Sequence, residues 1–190
     1  MYLGSKAKHA KYLLPFILEN KTKNQYYVEP FCGGCNMIDK VKGNRIANDS
    51  NYYLIEMWKA LQNGWIPPDK INKEEYNHIM KNKDLYEPCL VAFVGFLCSF
   101  GGKFNNGFVE INDAPKAKRV LKNQIKKLKD VQFFNVSYNN LIIPENSIVY
   151  CDPPYAMTTE YNGTDTFNHF DFWNWCRNKI NENQYIYIRI

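Results

Sequence analysis

Hydrophobic and polar positions along the chain change period several times, and the changes divide it into alternating helix and strand candidates. Ala7, Ala10, Leu13, Leu14, Ile17 and Leu18 recur at helical spacing across Ser5 to Glu19, with Ser5 placed to cap the start and Pro15 to kink the helix. Gln25 to Glu29 reads as a short strand, Pro30 to Asn36 as a glycine-containing turn, and Met37 to Val41 as the opening of a helix. Asn44 to Asn48 is a second strand that ends at Asp49. Leu54, Trp58 and Leu61 then share one face of a helix over Asn51 to Gln62, closed by Gly64. Periodicity breaks between Trp65 and Pro115, a stretch holding Pro67-Pro68, Pro88 and a Gly/Asn-rich loop, which predicts an insert. Lys116 to Val131 resumes as a basic helix with Val120, Gln124, Ile125 and Leu128 on or near its inner face. Strands at Val131 to Val136 and Ser147 to Cys151, a helix from Phe170 to Ile180 and a strand from Gln184 to Ile190 complete the pattern. Repeated strand, turn and helix predict an α/β fold built from parallel βαβ units.

Composition narrows this to one domain, or a core with a small inserted lobe. The 190 residues are 45% hydrophobic and 23% charged, a balance that can bury a core. A net charge of +5 is compatible with a polyanionic partner and does not specify one. No apolar run reaches the roughly 18 residues of a membrane span, and the N-terminus has no secretory pattern, so the expected location is cytoplasmic. The six cysteines are irregularly spaced and lie mostly in apolar segments, so reduced, buried thiols are expected. Cys32-Gly33-Gly34-Cys35 has no second metal-ligand pair to match it, and no metal site is predicted.

The chemistry gathers after the strand Ser147 to Cys151, which delivers Asp152-Pro153-Pro154-Tyr155 to the edge where open parallel sheets bind ligands. Neither proline can extend the sheet ladder, so the loop is stiff. A stiff loop can hold the Asp152 carboxylate, the Pro153 carbonyl and the Tyr155 ring in fixed relation. Two acceptors and an aromatic face suit a planar amine whose lone pair is delocalised into a ring; taking its two N–H bonds frees that lone pair to attack an activated methyl group. A plain strand-terminating turn is the competing reading of the same four residues.

Their neighbours favour the chemical reading. Tyr27 to Gly34 is a strand running into a glycine turn, which lets backbone approach a nucleotide-like ligand. Asp49 ends the next strand, where a carboxylate can accept hydrogen bonds from ribose hydroxyls or instead cap the following helix.

These residues resemble the Dam-like, D12 class of adenine-specific DNA methyltransferases. Tyr2-Leu3-Gly4-Ser5-Lys6 is similar to the family's N-terminal motif, Glu29-Pro30-Phe31-Cys32-Gly33 to its cofactor loop, and Asp152-Pro153-Pro154-Tyr155 to its catalytic motif, in the family's order. The resemblance implies a Rossmann-like, mostly parallel sheet with S-adenosyl-L-methionine as cofactor and double-stranded DNA as substrate, in a restriction–modification setting. It implies a cofactor site lined by Tyr2, Gly4, Lys6, Phe31, Gly33, Asp49, Ser137 and Tyr138, and a catalytic set of Asp152, Pro153 and Tyr155. Lys103, Asn105 and Asn106 of the Gly/Asn-rich loop would contact DNA, against the alternative of a surface loop anchored by its phenylalanines. The lysines at 116, 118, 122, 126, 127 and 129 spread around their helix and read as a solvated face.

Two departures from the family stand out. Cys35 occupies the place of the loop's usual second glycine, and the chain stops at Ile190 on what resembles the fifth strand, so the family's C-terminal strands are expected to be absent. Segments 1–64 and 116–190 are expected to form the catalytic core and 65–115 a target-recognition region. The alternatives are another planar amine as acceptor (cytosine N4, RNA or a protein glutamine) and a truncated, inactive DNA-binding relative.

Overall fold

β1 (Tyr27–Glu29) lies at the centre of a five-stranded sheet with β2 (Arg45–Asn48) on one side and β4 (Ile148–Cys151) on the other. β3 (Val131–Phe134) and β5 (Tyr185–Ile188) form the edges, giving the order β3-β2-β1-β4-β5 with every pairing parallel. The parallel pairing is what the strand and helix alternation predicts, and the Rossmann-like sheet is what the resemblance implies. The computed structural model describes residues 8–110, 114–154, 167–182 and 184–189, with side chains throughout except at 114–118.

β1, β2 and β4 are buried at every position because both sheet faces are covered. On one face Tyr27, Ala47, Ile148 and Tyr150 meet α1 (Ala10–Ile17), α2 (Tyr52–Gln62) and α5 (Ala114–Leu128). On the other, Val28, Ile46, Val149 and Cys151 pack on Phe172, Trp175 and Cys176 of α6 (His169–Asn181). All six cysteines are buried and free. Among the described residues no helix is long and apolar enough to cross a membrane.

Several local expectations are corrected. α1 begins at Ala10 with His9 at its N-cap position, and it ends two residues after Pro15, whose missing N–H leaves the Lys11 carbonyl without its intrahelical donor. Ser5 lies outside the described residues. Met37 to Val41 forms only a single 3-10 turn, Ile38–Lys40, because Val41 is already extended and Gly43, at φ 88°, swings the chain into β2. In α5 the buried positions are Leu121 and Leu128 with Gln124 and Ile125 half-buried; Val120 is one residue out of phase with that stripe and faces solvent, as do Arg119, Lys122, Lys126 and Lys127.

The segment between Trp65 and Pro115 contains two helices that the sequence pattern does not predict, α3 (Lys73–Lys81) and α4 (Pro88–Leu97). α3 starts with a capping box in which Asn72 accepts from the Glu75 N–H and Glu75 accepts from the Asn72 N–H. α4 has Pro88 in its first turn, where a proline is tolerated, and buries Val91, Ala92, Phe93, Val94 and Phe96 against α2 and α3 in the main core.

Candidate active site

The direction of strand addition reverses between β1 and β4, so the loops leaving their C-terminal ends diverge and open a crevice. One loop is Pro30–Asn36 and the other begins with Asp152. Of the sequence-predicted residues, Phe31 and Gly33 follow β1 and Asp152 and Pro153 follow β4, on the two sides of the switch point.

The glycine loop is pinned from three elements. Cys35 N–H donates to the Cys32 carbonyl (2.8 Å), closing a turn over Gly33 and Gly34. Gly33 N–H donates to Asp49 Oδ2 (2.9 Å), Trp58 Nε1 of α2 to the Gly33 carbonyl (3.1 Å), and Gln124 Nε2 of α5 to the Gly34 carbonyl (2.8 Å). Gly33 and Cys35 have φ of 46° and 54°. The left-handed backbone at Cys35 gives a physical reason for the glycine that the resemblance expects there, since only glycine adopts it without strain.

Asp49 Oδ1 accepts from Asn51 N–H (2.9 Å), so its two oxygens hold the glycine loop and the approach to α2 at once. Burial pushes this carboxyl up, and the two N–H bonds pull it back down. The helix cap is Asn51, whose Oδ1 accepts from Leu54 N–H (3.0 Å). Each Asp49 oxygen keeps acceptor capacity for a ligand.

Asn48 is a site residue that sequence reasoning missed. Fully buried, it donates through Nδ2 to the carbonyls of Pro30 and Val136 (both 3.0 Å) and accepts from Val136 N–H (3.1 Å). It thus ties the loops after β1 and β3 to the end of β2. Those loops carry Phe31 and Tyr138, whose rings lie 5.3 Å apart. Phe167, also missed, completes the cluster at 5.8 Å from Phe31 and 5.7 Å from Tyr138. Ser137 is exposed beside them at the start of a 3-10 turn.

Across the crevice Asp152 is half-buried and Pro153 buried, and both directly follow β4. Tyr155, Tyr2, Gly4 and Lys6 lie outside the described residues. At the end of β1 stands Glu29, 2% exposed, whose Oε1 has no hydrogen-bond partner among the described residues. Desolvation raises its pKa to about 8, with the Tyr27 hydroxyl and the Ile38 N–H pulling it back down and the charges of Asp39 and Asp152 pushing it up.

With this geometry in hand, comparison with known proteins is informative. The family model for D12 class N6 adenine-specific DNA methyltransferases matches residues 2–89 and 89–179. The chain belongs to this family. It is 29% identical over 208 residues to the type II methyltransferase M.FokI of Planomicrobium okeanokoites, covering 91% of this chain and 31% of that protein. It is 27% identical over 209 residues to the modification methylase StsI of Streptococcus sanguinis, covering 91% of this chain and 30% of that protein. The chain thus spans less than a third of the length of these relatives.

In this D12 family chain the Gly/Asn-rich loop forms a tight hairpin. Ser99 and Phe108 bridge antiparallel, and Phe100 N–H donates to the Gly107 carbonyl (2.9 Å). Phe104 packs on Phe96 (5.0 Å) and stacks on Tyr53 (5.7 Å), while Phe108 lies against Tyr76 (5.6 Å). Two of its phenylalanines are anchors, then, whereas Phe100 is 67% exposed. Lys103 is half-buried, and Asn105 and Asn106 are exposed beside it. The hydrogen bonds of these three to described residues stay within the hairpin and the helices beneath it: Lys103 N–H to the Phe100 carbonyl, Asn105 N–H to the Gly95 carbonyl, the Tyr76 hydroxyl to Asn105 Oδ1 (3.4 Å), and Asn106 Nδ2 to the Phe100 carbonyl.

Proposed function

We propose that this chain transfers a methyl group from S-adenosyl-L-methionine to the N6 amino group of an adenine turned out of double-stranded DNA. The observation that carries the reading is that Asp152-Pro153 and a pinned, left-handed glycine loop leave the two adjacent strands at the switch point of a parallel sheet. The residues present fit the cofactor. Glu29 offers a buried carboxyl with an orphaned acceptor, Asp49 retains lone pairs at the end of β2, and Phe31 with Tyr138 offers aromatic surface. By family resemblance Tyr2, Gly4, Lys6 and Ser137 complete that site.

The cofactor, when bound, supplies a methyl group already activated on a sulfonium centre. The chain's own residues orient the acceptor. The Asp152 carboxylate and the Pro153 carbonyl accept the two N–H bonds of the adenine amine, which removes the lone pair from ring conjugation and leaves it free to attack. Two consecutive prolines after Asp152 keep these acceptors from relaxing, so no rearrangement accompanies the reaction. Tyr155 stacks on the base, at about 1–3 kcal/mol, and offsets part of the few kcal/mol spent on extruding it. Residues 65–115 form the target-recognition region. In it Lys103 faces phosphate while Asn105 and Asn106 face base edges.

Incubation with DNA and labelled cofactor, followed by nucleoside mass spectrometry, tests this directly. N6-methyladenine is the expected product; label in cytosine, RNA or protein would refute the acceptor. In Asp152→Ala, transfer is lost while calorimetric cofactor binding stays near wild type. Retained transfer in that variant would overturn the assigned role.

A further inference from the structure

α5 concentrates positive charge without an acid of its own. Lys116, Lys118, Arg119, Lys122, Lys126 and Lys127 fall within Ala114–Leu128, which contains no Asp or Glu. Elsewhere lysines meet acids: Lys40 with Asp39 (2.6 Å), Lys59 with Glu56 (3.0 Å) and Lys179 with Glu182 (2.7 Å). Among the described residues no ion pair reaches Arg119, Lys122, Lys126 or Lys127. Asp130, the first acid after the helix, acts on Arg45 of β2.

The helix is docked at a fixed rotation. Leu121 and Leu128 are buried, and Gln124 Nε2 donates to the carbonyls of Gly34 (2.8 Å) and Cys35 (3.3 Å). At the other end Arg45 Nη1 donates to the Lys127 carbonyl (2.7 Å). At about 100° per residue, Arg119, Lys122 and Lys126 then share about 60° of arc on the outward side, and all three are exposed. Because β3 begins three positions after Leu128, α5 runs back along the sheet, and its N-terminal end lies where the strands end. Gln124 marks the level of the glycine loop, so Arg119 stands beyond that loop, toward the rim of the crevice, and the other two follow down the flank.

Resting on the DNA-substrate reading above, we infer that the outward stripe Arg119–Lys122–Lys126 is a second contact surface for the DNA backbone, separate from the hairpin of Lys103. From Arg119 to Lys126 the helix rises about 10 Å at roughly 1.5 Å per residue. Over that length one DNA strand presents about three phosphates, at about 3.4 Å of axis each. Three cations with no acid among them match three phosphates. Such contacts set affinity and hold the duplex in place without reading its sequence. The stripe is a solvated face in the free chain, and docking of a duplex releases the counterions condensed on those phosphates.

The test is the salt dependence of binding to a duplex of G·C pairs only, which contains no adenine and so reads contact apart from chemistry. Arg119→Gln, Lys122→Gln and Lys126→Gln together remove the charges while keeping good helix formers. Each lost phosphate contact lowers the log–log slope by about 0.9, so the triple variant should be shallower by about 2.7. Between 50 and 200 mM salt, wild type should then lose about fortyfold more affinity than the variant. The matched control replaces Lys21, Lys23 and Lys42, which precede β1 and β2 at the opposite end of the sheet, and should keep the wild-type slope. In wild type, acetylation read by mass spectrometry should show Lys122 and Lys126 protected by the duplex and Lys23 and Lys42 not. An unchanged slope in the triple variant, or an equal loss in the control, would overturn the surface and leave the methyl-transfer reading standing. The expected slope loss without methyl transfer to adenine-containing DNA would overturn that reading and leave the surface. No binding of wild type to duplex would overturn both.

Discussion

Gly95 lies within α4, where alanine is ordinarily the better helix residue by about 1 kcal/mol. In this protein Gly95→Ala is expected to destabilise. A Cβ built on Gly95 would lie 2.3 Å from Cε2, 2.6 Å from Cδ2 and 3.1 Å from Cζ of Phe104. Contacts between carbon atoms settle at about 3.5–4.0 Å, so the ring must retreat by roughly 1 Å. It has little room to do so, held between Phe96 and Tyr53. With the ring held on both sides the cost falls in the upper part of the range for overpacking, about 2–3 kcal/mol, and outweighs the helix gain, leaving a net loss of about 1–2 kcal/mol. The clash vanishes if the ring is removed, so in a Phe104→Ala background the same Gly95→Ala change should stabilise by about 1 kcal/mol. The coupling between the two sites is therefore about 2–3 kcal/mol, with a change of sign in the effect of Gly95→Ala. Urea denaturation of the four proteins in the cycle measures it. A stabilising Gly95→Ala in wild type, or effects that add without coupling, would refute the packing argument.

Asn48→Ala strips the Pro30 and Val136 backbone groups of buried partners and should cost about 2–5 kcal/mol while weakening cofactor affinity, measured by denaturation and calorimetry; unchanged affinity would break the link drawn between Asn48 and the two loops. Glu29 has a pKa of about 8 in the folded chain against an ordinary 4.5, so the native state holds a proton the unfolded chain gives up between those values. Stability conferred by that proton is present below pH 4.5 and lost as pH rises through 8, by at most about 5 kcal/mol; Glu29→Gln should flatten urea-derived stability across this window, and an undiminished slope would reject the assignment. Lys103→Ala should weaken DNA binding and make its salt dependence shallower by about one unit of log–log slope, and an unchanged slope would place Lys103 away from phosphate.

The sequence disclosed most readily what local pattern controls. β4 is a short apolar run and β1 and β2 are short strands with turn residues after them, and their parallel pairing follows from the alternation of strand and helix signals. α4 was hidden because Pro88 reads as a breaker although it occupies the first turn, and because Cys89 to Leu97 is apolar all round and shows no period. α3 carried a signal that pattern reading passed over, the Asn72-x-x-Glu75 capping box. Among site residues, Gly33, Asp49 and Asp152 were legible because each stands at the end of a strand. Asn48, Trp58 and Gln124 were not, since their bonds reach across 88, 25 and 90 residues of chain and leave no local trace. Glu29 was visible as a letter in the cofactor loop, but its buried, orphaned state is a property of the packed sheet.

The two halves of the proposed site are held by different forces, and that difference predicts how they fail. The cofactor half is fixed by polar side chains bonded to backbone: Asn48, Asp49, Trp58 and Gln124 hold the glycine loop and its neighbours through directional contacts of 2.8–3.1 Å. The hairpin that carries Lys103, Asn105 and Asn106 adds to its hydrogen bonds on α3 and α4 the aromatic packing of Phe104 and Phe108 on helices that reach the sheet through α2. Removal of the hydrogen-bonding side chains should therefore loosen cofactor binding and spare DNA binding, whereas added volume beneath the hairpin should do the reverse. Gly95→Ala and Asn48→Ala are the matched pair that separates them. If each altered both affinities equally, the chain would be one cooperative unit in function as well as in folding, and the division between recognition and chemistry would have to be drawn elsewhere than at the hairpin.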